Sequence, residues 1–283
     1  MRSQPLTLFA FVIVLLFAVA PSRADWDPGD SYKMHYPQLP DLTPTGMDVL
    51  DSVANPSTLV AGAPNLYKIL ADDWKCTETG PVSDIHIWGS WLNNRLPLGD
   101  AKNVAFKLSI HADIPAPPTG GFSQPGAQLW SEVFPAGSFA TRLYAPVTLE
   151  SFYDPNVGRI IGTDNQVWQY NFTNIPNPFT QQVGTIYWLD VQALQMDPTA
   201  FFGWKTTNPL ITPHFQDDAV FSDTIGFNGP LLQGWQPMTY PAGHPFAGIS
   251  FDQAFVITTV PEPTSAALLL CGGVLLLKRR KGN

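Results

Sequence analysis

The sequence predicts an all-β protein: a jelly-roll-like β-sandwich with an extended Pro-rich N-terminal arm, a signal peptide before it and a hydrophobic helix behind it. Three observations carry that expectation. Pro (28) and Gly (22) are abundant and follow no collagen period, which favours turns and short strands over long helices. Runs of alternating apolar and polar residues recur between turn-rich links along the 283 residues. Hydrophobic residues make up 45% of the chain and aromatics 12%, while charged residues are only 13%, about half the usual share, so the chain can bury a large core.

The elements follow in order. Arg2, the apolar residues 6–20 and the small residues Ser22 and Ala24 read as a signal peptide over 1–24, cleaved between Ala24 and Asp25. Residues 25–66 carry Pro28, Pro37, Pro40, Pro44, Pro56 and Pro64 and are expected as an extended, Pro/Asp-rich arm with little regular structure. The sandwich proper is expected over 67–259. Its first strand is placed at 82–91, with Ile85, Ile87 and Trp91 on one face and His86 and Trp88 on the other. Residues 104–111 alternate most cleanly: Val104, Phe106, Leu108 and Ile110 inward, Lys107, Ser109 and His111 outward. Pro- and Gly-rich residues 115–127 read as a long surface loop. Further strands are expected at 128–134, 147–152, 166–172, 185–194, 219–222, 231–238 and 248–259. Helices of ten or more residues are expected only at the two ends, and no repeat of propeller or solenoid period is visible.

The charge balance and motifs narrow the chemistry. Between residues 25 and 260, nine Lys/Arg face 22 Asp/Glu, leaving −13, which excludes a nucleic-acid surface. Nineteen of these acids are Asp, a residue of turns and a hard oxygen ligand. Asp72-Asp73 and Asp217-Asp218 are paired carboxylates that suit either Ca²⁺ or turn capping, and no EF-hand pattern accompanies them. Cys76 and Cys271 are the only cysteines, and Cys271 lies in the C-terminal apolar stretch, so the body has no disulfide framework. HExxH, GxSxG, P-loop and zinc-spaced Cys/His motifs are all absent, and no catalytic residue is assigned. A glycosidase pair would draw on Glu78, Glu132, Glu150 or an Asp, and nothing in the sequence selects one. Nine Trp are unusual in number. Trp168, Tyr170 and Phe172 share one face of a strand, and are expected either as a sugar-stacking platform or as part of a Trp-rich core.

The C-terminus is tripartite. Pro261-Glu262-Pro263 precedes apolar residues 264–277, and Lys278, Arg279, Arg280 and Lys281 follow. The 14 apolar residues span roughly 21 Å as a helix, short for a bilayer, and the basic cluster would stay on the cytoplasmic side. This order resembles the PEP-CTERM sorting signal of Gram-negative bacteria over about residues 260–283. The resemblance implies transient inner-membrane insertion, processing by an exosortase (a membrane-embedded cysteine protease) and delivery to the cell surface or extracellular matrix. Segments 69–76, 81–91, 187–193, 202–206 and 214–220 look like an uncharacterised domain family of secreted proteins from environmental, planctomycete-like bacteria, a match over about residues 30–258 that implies no activity. The function expected from these readings is a non-enzymatic surface or matrix protein associated with exopolysaccharide. A carbohydrate-binding module, or a secreted hydrolase, is the alternative.

Overall fold

Val104, Phe106, Leu108 and Ile110 alternate with Ala105, Lys107, Ser109 and His111, and in the computed structural model they form one strand, Val104–Ile114. The structure describes residues 25–29, 33–34, 37–52, 66–210 and 219–259. In chain order the strands are β1 (Lys33–Met34), β2 (Met47–Leu50), β3 (Leu66–Lys75), β4 (Gly80–Pro81) and β5 (Asp84–Trp91). Then come β6 (Val104–Ile114), β7 (Gln124–Phe134), β8 (Ala140–Asp154), β9 (Arg159–Phe172) and β10 (Thr180–Gln181). The last five are β11 (Ile186–Gln195), β12 (Phe202–Lys205), β13 (Val220–Ile225), β14 (Gln236–Pro237) and β15 (Phe255–Thr259). Among the described residues there is no α-helix, only single 3-10 turns at Leu92–Asn94 and Pro97–Gly99.

Two sheets hold nearly all of these strands. One has six, in the order β14-β13-β3-β11-β6-β7, all antiparallel. The other has seven, in the order β1-β15-β5-β12-β2-β8-β9, and β9 also pairs with β5. That extra pairing closes β5, β12, β2, β8 and β9 into a ring. It is possible because β8 and β9 are a long curled hairpin, with register shifts near Leu143, Pro146 and Phe152, so one end meets β5 and the other meets β2. β2 and β8 are parallel, while every other pairing in the ring is antiparallel.

The sheets pack face to face over one apolar core that includes Leu70, Phe106, Leu108, Leu189 and Val191 from the six-stranded sheet and Met47, Val49, Ile87, Tyr170 and Trp204 from the other. Phe106 is its aromatic hub, with ring centroids 5.4 Å from Phe139, 5.1 Å from Tyr170, 5.5 Å from Phe172 and 5.1 Å from Phe202. The opposite faces are covered as well. Trp26, Trp88, Val167 and Val256 form a second cluster, and Ile69, Trp188, Val220 and Trp235 a third.

This double coverage accounts for the departures from the sequence-based expectations. Lys107 and Ser109, expected outward, are buried, because the outer face of the six-stranded sheet is itself covered. β3 was not expected as a strand, since Lys68, Asp72 and Asp73 interrupt its apolar pattern, yet it is a central strand with all three buried. Residues 25–66 are more than an arm: Met47–Leu50 is a fully buried strand of the ring. Phe202–Lys205 is a further strand that the pattern missed. The loop after β6 is shorter than expected, as β7 starts at Gln124, and residues 231–238 contribute only the short β14. The expected signal peptide (1–24) and C-terminal helix (260–283) lie outside the described residues, among which no helix is long and apolar enough to cross a membrane.

Two outcomes follow from this packing. Phe106→Ala empties the aromatic hub and should cost about 3–5 kcal/mol, read as a lower denaturant midpoint at unchanged slope. A chain that starts at residue 66 lacks β2 and opens the ring, so it should show no cooperative unfolding transition, whereas the chain from Asp25 should show one.

Candidate functional site

All five strands of the ring send one or more side chains to the same point. In paired strands, directly opposite residues share a face. Asp48 (β2) is opposite Lys205 (β12) and Phe152 (β8), Gly203 (β12) is opposite Ser90 (β5), and Glu150 (β8) is opposite Asp164 (β9). These groups therefore converge inside the ring, on the side turned away from the other sheet. Asp48, Asp164, Lys205 and Ser90 are fully buried and Glu150 is nearly so. The backbone leaves room for them at two glycines. A Cβ on Gly46 would lie 2.5 Å from Glu150 Oε1 and 2.6 Å from Lys205 Nζ, and one on Gly203 would lie 2.6 Å from the Phe152 ring.

The Lys205 ammonium donates to Asp48 Oδ2 at 3.4 Å and, in close contact, to Glu150 Oε2. One ligand oxygen from each of Asp48, Glu150 and Asp164 lies within 4.8 Å of the others. Three carboxylates so close repel one another by about 3.5 kcal/mol per pair at an effective dielectric of roughly 20, taking the 4.8 Å limit. Keeping a proton on an ordinary carboxyl at pH 7 costs about 4 kcal/mol. Burial adds to the repulsion, so protonation wins. Burial first, and the charge on Asp48 next among the factors acting upward, push Glu150 up to about 8 despite the opposing pull of Lys205. Burial and the charge on Asp48 push Asp164 up to about 9. Asp48 is also raised by burial, with Lys205 opposing. At neutral pH the cluster thus holds two carboxylic acids and one Lys205–Asp48 ion pair, and is close to neutral. The proton on Glu150 also supplies a donor at a carboxyl whose Oε1 otherwise has no hydrogen-bond partner. Asp48, Glu150 and Asp164 are the residues that could hold a metal ion, but the ammonium of Lys205 already sits against two of them.

Of the residues singled out in the sequence, Glu150 is in this cluster, and the paired carboxylates and the aromatic face lie elsewhere. Tyr170 is fully buried, receives the indole N–H of Trp91 at 2.8 Å and packs on Phe106. Trp168 is half-buried against the same core. The shared face is therefore the inward one, and Tyr170 offers no sugar platform. Six of the nine Trp are among the largest fully buried side chains. Asp72 and Asp73 point to opposite faces of β3, as neighbours in a strand must, so they do not converge on one ion. Asp72 accepts the backbone N–H groups of Asp73 (2.9 Å) and Gln253 (2.7 Å). Asp25, beside the expected cleavage point, pairs with Arg142 at 3.2 Å. Ala24, Asp217, Asp218, Pro261, Glu262, Pro263, Lys278, Arg279, Arg280 and Lys281 lie outside the described residues.

Sequence reasoning missed the Asp48–Glu150–Asp164–Lys205 cluster. The available signal was a lysine set between Trp204 and Thr206 in an otherwise apolar segment, together with the scarcity of Glu in the body. A cleft of about 180 Å³ lies between Leu50, Leu92, Asp154, Ile161 and Phe201, with Asp154 as its one ionisable group.

On the outer face of the six-stranded sheet, Ser109, His111 and Asp190 are neighbours without forming a catalytic triad. His111 Nε2 meets Asp190 Oδ2 at 2.6 Å, but Nδ1 meets the Gly126 carbonyl at 3.0 Å and not a hydroxyl. Both ring nitrogens face acceptors, so both must donate and the imidazolium is the fitting form. Burial pulls His111 down, and the bond to and charge of Asp190 outweigh it, leaving the group above its ordinary value of 6.5. A raised pKa means stability that is complete below pH 6.5 and lost as pH rises through the native value. The melting temperature of the wild-type protein should therefore fall across that interval by more than that of His111→Gln, the difference between the two curves isolating His111 from the carboxyl cluster.

No curated protein and no solved structure matches the chain. A family model, described as a domain of unknown function (DUF7901), matches residues 34–258. Those residues run from within β1 almost to the end of β15 and include both sheets and the buried cluster. The chain accordingly belongs to the DUF7901 family.

Proposed function

We propose that this is an exported, exosortase-processed protein of the cell surface or extracellular matrix, displayed as a non-enzymatic, jelly-roll-like β-sandwich in association with exopolysaccharide. The observation that carries the reading is the order at the C-terminus: Pro261-Glu262-Pro263, an apolar segment too short for a comfortable span, then Lys278, Arg279, Arg280 and Lys281. Proline on each side of Glu262 keeps that segment out of regular helix and presents it at the membrane interface for cleavage.

The body supports the reading in three ways. Asp25, Trp26 and Asp27 dock against Arg142, Gln169 and Trp88, so a chain cleaved after Ala24 keeps every residue that this packing uses. The ionisable groups that converge most closely are sealed inside the ring, which favours display over turnover of an external substrate. The chain crosses from one sheet to the other at many of its connections, as jelly-roll chains do. Specific sugar stacking has less support, since Tyr170 and most of the tryptophans are spent on the core.

Mass spectrometry of the surface-exposed mature protein tests the proposal. The expected protein begins at Asp25 and contains no peptide running through 268–277 into Lys278. Replacing Pro261, Glu262 and Pro263 with alanine should leave full-length precursor in the inner membrane. Surface protein that retains Lys278 would make the tail an ordinary anchor and would refute exosortase processing.

A further inference from the structure

We propose that Lys205 and Glu150 join spontaneously, through Nζ and Cδ, in an intramolecular isopeptide bond inside the ring. The geometry has the parts that such a condensation requires. Lys205 Nζ is in close contact with the Glu150 carboxyl, and both side chains are completely buried. Asp48, with Oδ2 at 3.4 Å from Nζ, is placed to accept a proton from the ammonium. Asp164 is opposite Glu150 across β8 and β9, fully buried, with Asp48 and the Ser90 hydroxyl beside its carboxyl. A third buried carboxyl beside a lysine that Asp48 already neutralises is costly, and a role as proton donor to the reacting carboxyl would account for it.

The step balances. The Asp48 carboxylate takes one proton from the Lys205 ammonium. The freed amine attacks Cδ of the protonated Glu150 carboxyl, while Asp164 donates a proton to the developing oxyanion and recovers one from the nitrogen. A C–O bond of Glu150 breaks as the C–N bond forms, and one hydroxyl leaves as water. Ammonium, carboxylic acid and carboxylate thus become amide, water and a protonated Asp48, with no oxidant, metal or activated donor. Two conditions favour it: the reactants are held together by the fold, and the site is buried, where an ion pair is less favoured over its neutral form than in water. In the product, the amide N–H faces Asp48 and the amide oxygen faces Asp164.

Topology singles out Glu150 over Asp48 as the carboxyl that reacts. Lys205 and Asp48 are already opposite each other on hydrogen-bonded strands. β8 and β12 are not neighbours, since β2 lies between them. A Lys205–Glu150 bond is a brace across the ring that encloses β2, and it closes a loop of chain between residues 150 and 205. This inference stands apart from export and display, because the bond would form in any compartment where the chain folds.

Intact-mass spectrometry of the folded wild-type protein decides it. The expected mass is lower than that of the sequence by one water. Trypsin should fail to cut after Lys205 and should not release residues 143–159 as a free peptide, since that peptide carries Glu150. Lys205→Met should restore the full mass, and Asp164→Asn should leave most of the protein unlinked at the time wild type is fully converted. Wild-type protein of full sequence mass would overturn the proposal without reference to any variant. A linkage found at Asp48 would overturn the assignment to Glu150. A full-mass protein whose melting temperature rises with added Ca²⁺ would make the cluster a cation site and would refute the bond.

Discussion

The constraint on which this fold turns is a lysine buried among three carboxylates. A ring of five strands encloses little space, and here Phe152 and the acid–lysine cluster share it. Glycine at 46 and 203 follows directly, because no Cβ fits there against Glu150, Lys205 or Phe152. So does protonation of Glu150 and Asp164, since a fully ionised cluster would leave an uncompensated double negative charge in the interior. β2 is one of the two shortest strands of the ring, four residues long and paired in parallel with β8. Asp48 at its centre ties it to β12 through Lys205, so the short strand is held by its side chain as well as by its backbone.

The core is built on a similar economy. Tryptophan and tyrosine fill much of it, and four of the indoles find an acceptor: Trp204 donates to the Ala254 carbonyl at 2.8 Å, Trp91 to the Tyr170 hydroxyl at 2.8 Å, Trp74 to Gln181 at 3.0 Å and Trp188 to Asp113 at 2.9 Å, while those of Trp26, Trp88 and Trp168 have no hydrogen-bond partner. Each such bond fixes a large ring in one orientation, so the aromatic residues specify the packing in addition to burying area. Cys76, the one cysteine among the described residues, is a buried free thiol and makes no cross-link.

Much of the fold was legible in the sequence, and the reasons for the misses are physical. Strands β5, β6 and β11 announce themselves by composition and by alternation, which reports a side chain's face wherever one face is apolar. Alternation also put Trp168, Tyr170 and Phe172 on one face, correctly. It carries no information on which face looks outward, and here that face looks in. β3 was hidden because Lys68, Asp72 and Asp73 read as a polar link. Lys68 is in fact buried against Asp154 and Asp223 at 3.6 and 3.4 Å, and Asp72 against two backbone N–H groups, so partners far away in sequence make the strand possible. The cluster in the ring was invisible for the same reason: Lys205 is 157 residues from Asp48 and 55 from Glu150, and no local pattern joins them.

Burying charge inside a β-ring costs more than filling it with leucine and valine would, because desolvation of several ionisable groups exceeds what one ion pair returns. A chain that retains such a cluster needs a compensating gain. Apolar packing at the same positions would stabilise the ring only through contacts that each strand can break separately. A lysine facing Glu150 across an intervening strand can instead tie β12 to β8 by a bond that unfolding does not break, and a cross-link of this kind acts on the unfolded chain by shortening its free loops. The arrangement of acids fits that gain better than it fits a simple ion pair: one carboxylate would have been enough to neutralise Lys205, whereas an amide also needs an electrophile in its acid form and groups that carry protons to and from it. Glu150, Asp48 and Asp164 occupy those three places.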